Sequence, residues 1–385
     1  MPEIVSQISQ EDQLRIEELR EIVKDDLTTY YDTDFNLLRW LQGHSNLPLP
    51  EIARKLRTHL KTRKSYWDLD NIRKKLRNHP VHKHWSYGIT GPSGVLENVI
   101  VNIEQCGTMD YAGMMESYSI HDVMLARIQD LEEMLYLCME LEKKTGKQAY
   151  ILYVMDVTGL EYNRKLYDLV TGAMRSLAEF MADHYVEMIK YFVPVNLPTF
   201  ATALYVAVRP LLPKRTEQKV RVLSASSWKE EMLQYAQYEA LPDIWNDEKH
   251  EFPAHLDKPL AYPPEKYYVK RGSKPPGNLK STDVYAGKTE SLTFHLKKGD
   301  MISWWITGNR NMGFGFFKAK SEDEVDFDGM DQVCPTFTWM PGPLIVPLED
   351  SLTIKEDGVY KAWFSNSRSW WSTLTVQHVF NIVDK

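Results

Sequence analysis

The run YFVPVNLPTFATALYVAV, Tyr191 to Val208, holds eighteen residues without a formal charge between Lys190 and Arg209. In a chain that is 26% charged, whatever covers this segment constrains the whole fold. A membrane-spanning helix needs about twenty mostly apolar residues. Here Pro194, Asn196 and Pro198 fall within five positions. Each proline removes a backbone donor and clashes with the preceding turn, and the residue before it is driven toward extended geometry. In lipid those freed backbone groups would have no partner. The run therefore divides. YFVPV reads as a buried strand, NLP as a turn, and TFATALYVAVRPLL as a helix with Phe200, Ala203, Leu204, Ala207 and Leu211 on one apolar stripe.

The 385 residues and 43% hydrophobic content fit a globular chain of two or three domains. A net charge of −7 argues against a general nucleic-acid binder, which is normally basic. Cys106, Cys138 and Cys334 are widely spaced, which excludes a disulfide framework and leaves no structural zinc motif. The first residues, MPEIVSQISQEDQ, carry no basic stretch or apolar core of a signal peptide. The expected compartment is the reducing cytosol.

The first 80 residues read as helices. EDQLRIEELREIV places Leu14, Leu19 and Val23 at helical spacing. Thr33 is positioned to cap TDFNLLRWL, with Phe35, Leu38 and Leu41 on one face. Pro50 suits the first turn of the next helix, where Ile52, Leu56 and Leu60 repeat every four residues. VLENVIVNI and AYILYVMDV then read as strands. Between them runs a long amphipathic helix with Ile120, Met124, Ile128, Leu131, Leu135 and Cys138 on one face, stopped at Gly146. RKLYDLVTGAMRSLAEFMADHY is a second helix, and KYFVPV and KVRVLSA are further strands. This alternation predicts an α/β layer with a mainly parallel sheet. Six prolines within 253–276 predict a linker. Beyond it the hydrophobic period is two, with KKGD and EDGV as turns, which predicts a β-sandwich. The expected domains are a helical segment over 1–78, an α/β domain over 79–252, the linker over 253–276 and the sandwich over 277–385.

Motifs for catalysis are missing. There is no Walker-type phosphate loop, and GPSGV is not a nucleophile elbow, because the glycine directly follows the serine. His79, His82 and His84 in HPVHKH fit no standard metal spacing and read as a solvated loop. Asp156, closing a strand in MDVTGL, caps the following turn or, less economically, binds a ribose or a metal. Between Arg54 and Arg77 ten basic residues are opposed by Asp68 and Asp70 alone. Such a cluster is either a solvated helix face or a dock for anionic lipid, worth roughly 1 kcal/mol per basic residue near a membrane. Of the adjacent pair Trp370–Trp371, at least one is expected to be exposed, or covered by the other domain or a partner, since neighbours in a strand face opposite ways.

These pieces, in this order, resemble the CRAL-TRIO lipid-binding and lipid-transfer family, in its subgroup with a C-terminal GOLD domain (supernatant protein factor-like). The resemblance covers roughly residues 30 to 383. It rests on DTDFNLLRWLQGHSNLPLPEIARKLRTHLKTRKSYWDLDNI, on VMDVTGL, on the block HYVEMIKYFVPVNLPTFATALYVAVRPLLPKRTEQKVRVLSAS, on SSWKEEMLQYAQYEALPDIWND, and on ISWWITGNRNMGFGFF and GVYKAWFSNSRSWWSTLTVQHVFNIV near the end. It implies a cytoplasmic protein, peripheral and transient at membranes, that is not an enzyme and needs no cofactor or metal beyond a bound lipid. The stripe from Phe200 to Leu211 would be a lid over an apolar cavity. Glu187 and Lys219 fall where members bind a headgroup, with Tyr153 on the neighbouring strand. Arg54, Lys61, Lys64, Lys214 and Arg215 would dock the membrane. The chain departs from the family pattern at Val186, Leu197, Ile151, Tyr153 and Ile244–Asp247, and has Ser365 where an aspartate is common. Phosphatidylinositol and a sterol-like, tocopherol-like or squalene-like molecule therefore both stay open as ligand. The alternative function is a lipid-regulated adaptor whose GOLD domain binds a partner protein.

Overall fold

A computed structural model describes residues 7–161, 167, 171–200, 202, 205, 217–268 and 275–384. The chain opens with three helices, α1 (Gln10–Val23), α2 (Asp34–Gly43) and α3 (Leu49–Lys64). Thr33 caps α2 by accepting the Asn36 amide at 3.1 Å, a contact worth about 1 kcal/mol. Pro50 lies in the first turn of α3, and Ile52, Leu56 and Leu60 are fully buried. In α1 the buried face is Ile16, Leu19 and Val23, and Leu14 is exposed. Leu14 is five residues from Leu19, which turns it off that face.

Two short helices, α4 (Val81–His84) and α5 (Tyr111–Met115), precede the long α6 (Ile120–Thr145). Ser119 and Asp122 close a capping box at its start, and Gly146 ends it at φ +69°. Its six predicted face residues are all buried. The next described helix is α7 (Ala173–His184).

The first sheet contains β1 (Ile89–Pro92), β2 (Val99–Glu104), β3 (Tyr150–Asp156) and β4 (Ile189–Val195), in that order. β2, β3 and β4 are parallel, and β1 runs antiparallel to β2. Strand period sorts the side chains. Val101, Ile103, Leu152, Val154, Val193 and Val195 turn to one face, covered by Trp228, Trp245 and Phe252. Ile100, Ile151 and Tyr153 turn to the other, toward the helices.

KVRVLSA was expected as a further strand but makes only a bridge, Phe192 to Val220. Phe192 exchanges both its backbone bonds with Lys219 and Arg221. The next residue of β4 facing that way is Pro194, which has no N–H, so the ladder stops. β4 is accordingly half-buried rather than covered on both faces.

Residues 280–383 form two antiparallel sheets, as the period of two predicted. β5 (Lys280–Val284), β7 (Met301–Gly308), β10 (Leu348–Thr353) and β12 (Leu374–Val383) make one, in the order β10-β7-β12-β5. β6 (Thr289–Leu296), β8 (Met312–Ala319), β9 (Asp331–Met340) and β11 (Gly358–Ser365) make the other, in the order β6-β11-β8-β9.

The parts are not strung loosely together. The proline-rich segment is strapped to the α/β body: the Leu260 amide donates to Lys83, the Tyr262 amide to Asp110, and the Tyr268 amide to Glu116. The sandwich docks through β9, where Phe337 lies 5.5 Å from Phe180, 5.7 Å from Trp67 and 5.0 Å from His121, centroid to centroid. The helical segment is tied to α6 by two buried ion pairs. Arg63 donates to both oxygens of Glu132 at 2.8 Å, and Arg39 pairs with Glu142 and also bonds the Ala149 carbonyl.

HPVHKH is not a solvated loop. His82 and His84 are buried in α4 and bond the carbonyls of Ala126 and Leu260. Among the described residues no group of His, Cys, Asp or Glu is placed to hold a metal, and no helix is long and apolar enough to cross a membrane.

Two outcomes follow. Arg63→Met strands the Glu132 carboxylate in the core and should cost about 3–5 kcal/mol in urea unfolding, whereas Arg63→Met with Glu132→Leu should recover most of that loss. Burial at the domain junction also pushes the His121 imidazole from the usual 6.5 down to about 4. Between those values the unfolded chain binds the extra proton, so stability is full above the unfolded value and falls as pH drops through the window. His121→Phe should flatten this acid limb, read as the difference in urea midpoint between pH 7 and pH 4.5 for the two proteins.

Candidate functional site

Between β3, β4 and α7 lies a cavity of about 450 Å³, within the range of small-molecule sites. α7 turns Met174, Leu177 and Met181 into it, at spacings of three and four that place them on one helix face. The sheet contributes Tyr153 and Met155 from β3 and Ile189 and Phe192 from β4. Tyr153 and Phe192 pack with ring centroids 5.1 Å apart. The wall is flexible and apolar, since methionine fills irregular space and adapts to different shapes.

One charged pair borders it. Lys219 Nζ donates to Glu187 Oε1 at 3.0 Å, and both side chains are partly exposed. The backbone bond from Phe192 N–H to the Lys219 carbonyl sets the lysine beside β4. Glu187 sits at φ +55°, an uncommon conformation for a residue with a Cβ. Its place is fixed by packing: a Cβ on Gly43 at the end of α2 would lie 1.9 Å from Val186 Cγ1. Only glycine lets α2 close on this turn.

α7 is held at its far end. Tyr185, another wall residue, donates its hydroxyl to Glu132 at 2.7 Å. His184 and His59 meet through their Nδ1 atoms at 3.1 Å. Burial first, then the Arg63 guanidinium, lowers both imidazoles, His184 to about 3. The pair is neutral, with one ring donating and the other accepting.

The structure thus brings Glu187, Lys219 and Tyr153 to one cavity. Burial, then the nearby Glu104 carboxylate, pushes the Tyr153 phenol well above its usual value, so it stays neutral. Phe200 packs against the main core at the first helical turn after Pro198. Ala203, Leu204, Ala207, Leu211, Lys214 and Arg215 lie outside the described residues. Of the basic residues assigned to docking, Lys61 is turned inward: its ammonium donates to the carbonyls of Asp328, Gly329 and Met330 at 2.9, 3.0 and 2.9 Å, which uses its three donors. Arg54 pairs with Glu51 and Asp328. Lys64 is exposed next to them.

Asp156 caps the turn after β3. It accepts the Thr158 amide at 2.9 Å and the Trp245 indole N–H at 2.8 Å, so the ribose and metal readings fall away. The cavity methionines were not singled out from the sequence, although MRSLAEFM carries the helical spacing that places them together.

Residues 98–246 match the CRAL/TRIO domain model. Residues 266–385 match a model for an F28H7.8-like C-terminal domain, and residues 8–72 match a domain of unknown function, DUF8435. The chain is 28% identical over 321 residues to CRAL-TRIO domain-containing protein F28H7.8 of Caenorhabditis elegans, covering 81% of this chain and 77% of that protein. It is 23% identical over 385 residues to protein ctg-1 of the same organism, covering 97% of each. Among solved structures it is similar to Sfh5, with TM-score 0.48 and 15% identity, covering 66% of this chain and 90% of that chain.

Gly43→Ala should force Val186 and Glu187 away from α2 and cost about 1–3 kcal/mol. Urea unfolding measures the loss, and ¹⁵N-edited spectra should show amide shifts centred on 186–187 rather than spread through the fold.

Proposed function

We propose, from the match of residues 98–246 to the CRAL/TRIO domain model, that the chain is a lipid binder of that kind, holding one hydrophobic lipid between β3, β4 and α7 and releasing it at membranes, as a carrier rather than an enzyme. The observation that carries this reading is the cavity itself. It is walled by Met155, Met174, Leu177, Met181, Ile189 and Phe192, with the ion pair Glu187–Lys219 beside it among the described residues.

That asymmetry matches an amphiphile. Each methylene taken out of water into such a wall contributes about 0.8 kcal/mol, so a chain of ten or more is held firmly without any directed bond. The ion pair offers a lysine for an anionic or hydroxyl-bearing end and a carboxylate that orients it. The pair is already satisfied in this state, so a neutral headgroup competes poorly for it and an anionic one exchanges with Glu187. The phosphatidylinositol reading uses Lys219 in this way, and the sterol-like or tocopherol-like reading leaves the pair closed.

A carrier must open to exchange. The stripe Phe200, Ala203, Leu204, Ala207 and Leu211 is our proposed gate, swapping cavity contacts for bilayer contacts. Lys64, Lys214 and Arg215 remain our proposed electrostatic contacts with the membrane. We also propose that the eight-stranded sandwich is GOLD-like, on the support of its two antiparallel sheets.

The test is occupancy. Native mass spectrometry of protein purified from several hosts should show one co-purifying lipid per chain. Ala178→Trp places an indole in the cavity from an exposed position on α7. It should cut lipid occupancy and vesicle-to-vesicle transfer at least about fivefold while the unfolding midpoint holds. Equal occupancy in the variant would sink the assignment of this cavity.

A further inference from the structure

The sandwich has two chemically opposite ends. Strand pairing brings the β5–β6, β7–β8, β9–β10 and β11–β12 connections together at one end: Val284 pairs with Leu374, Gly308 with Val376, and Met312 with Met340. These connections, 285–288, 309–311, 341–347 and 366–373, contain Lys288, Arg310 and Arg368 and no carboxylate. The other end, 297–300, 320–330 and 354–357, carries four lysines against eight carboxylates. In a chain of net charge −7, carboxylate-free connections are a departure, and with Arg368 paired to Glu179 the basic groups left to meet a partner of the opposite sign are Lys288 and Arg310.

The same end displays aromatic side chains. Trp370 is 88% exposed, Trp371 87% and Tyr285 67%. They are not on a frayed loop. Asn366 Nδ2 donates to the carbonyls of Val284 and Ser372 at 2.9 and 2.7 Å. Its backbone exchanges bonds with Gly287 and Lys288, which binds the two tips to each other. Ser365 Oγ accepts the Ser367 amide at 3.2 Å, keeping the turn that an aspartate would have made.

We infer that this end of the sandwich is a membrane-contact surface, in which Trp370, Trp371 and Tyr285 enter the headgroup region of an anionic bilayer with Lys288 and Arg310 beside them. Tryptophan and tyrosine concentrate at that depth, because an apolar ring carries a polar N–H or O–H that stays hydrated. The basic side chains add roughly 1 kcal/mol each near anionic lipid. A small cluster of exposed aromatic rings suits a fluid interface; a stable protein partner would need a face of about 800 Å². The inference rests on the proposed exchange at membranes and assigns a second contact besides the gate. It also places that contact: Arg368 donates to Glu179 on α7 at 2.8 and 2.9 Å, so the tip is fastened to the outer side of the helix that walls the cavity.

The experiment uses the full chain and vesicles of phosphatidylcholine with and without roughly 30% phosphatidylserine, whose negative surface attracts basic side chains. Trp370→Ala with Trp371→Ala should weaken vesicle binding at least about tenfold and remove most tryptophan quenching by brominated lipid. Lys288→Gln with Arg310→Gln should abolish the preference for phosphatidylserine. Both variants should keep the parent lipid occupancy, which separates failure of this surface from failure of the cavity. Unchanged binding and quenching in the tryptophan variant would overturn the inference. If the tryptophan variant unfolds, Trp370→Phe with Trp371→Phe must retain binding to within about threefold and lose the quenching; failure to do so also overturns it.

Discussion

Arg63 and Glu132 meet in full burial, and much of the architecture is arranged around them. The guanidinium is bidentate to Glu132 and also donates to Asp70 at 2.6 Å, and its face lies 4.7 Å from the Tyr31 ring centroid. Two charges in an apolar core are tolerated only when every donor and lone pair is engaged. Here the partners come from the N-terminal helices, from α6 and, through Tyr185, from the end of α7. The site's principal wall is therefore hung from a pair that belongs to neither the sheet nor the cavity. The neutral His59–His184 contact follows from burial first and from the same pair second, since a protonated imidazole would set a second positive charge beside Arg63.

The segments with strong local signals were legible in the sequence. Thr33, Pro50 and Gly146 do what their backbone chemistry dictates, and the face Ile120 to Cys138 is buried as its spacing requires. The charge-free run divides after Val195, where Asn196 turns to φ +55° and Pro198 precedes the next helical turn, because turn residues act on their own backbone regardless of context. Other features depended on partners remote in sequence. KVRVL has the composition of a strand, yet its pairing ended at a proline in a different segment. HPVHKH is polar in composition, yet Val81, His82 and His84 are buried, because Ala126 and Leu260 supply carbonyls that no local pattern announces.

The candidate site divides in the same way. Glu187 and Lys219 stand 32 residues apart in sequence and 3.0 Å apart in space, a proximity that only the resemblance to a family pointed to. The methionine face of α7 was written in helical spacing but looks like any core face, because a cavity and a core use the same side chains. What tells them apart is how the layers are spaced.

Charge was the least transparent property. The basic run from Arg54 to Arg77 reads as a cationic surface, but Arg57, Arg63, Arg73 and Arg77 find Asp26, Glu132, Glu133 and Asp130. Arg54 and Lys61 find the acidic end of the sandwich at Asp328 to Met330. That last contact explains how the sandwich is oriented. Its acidic end faces basic α3, while Arg368 at the other end faces Glu179 on α7. Turning the sandwich end for end would set Arg368 against Arg54 and Lys61, and Asp328 against Glu179. Exposed pairs contribute only about 0–1 kcal/mol each, so they cannot be what holds the domains together; the Trp67, His121, Phe180 and Phe337 rings do that. The cost of like charges across a wrong contact is what selects one docking over its reverse. The charges that decide orientation on one side leave the opposite end of the sandwich free of carboxylates.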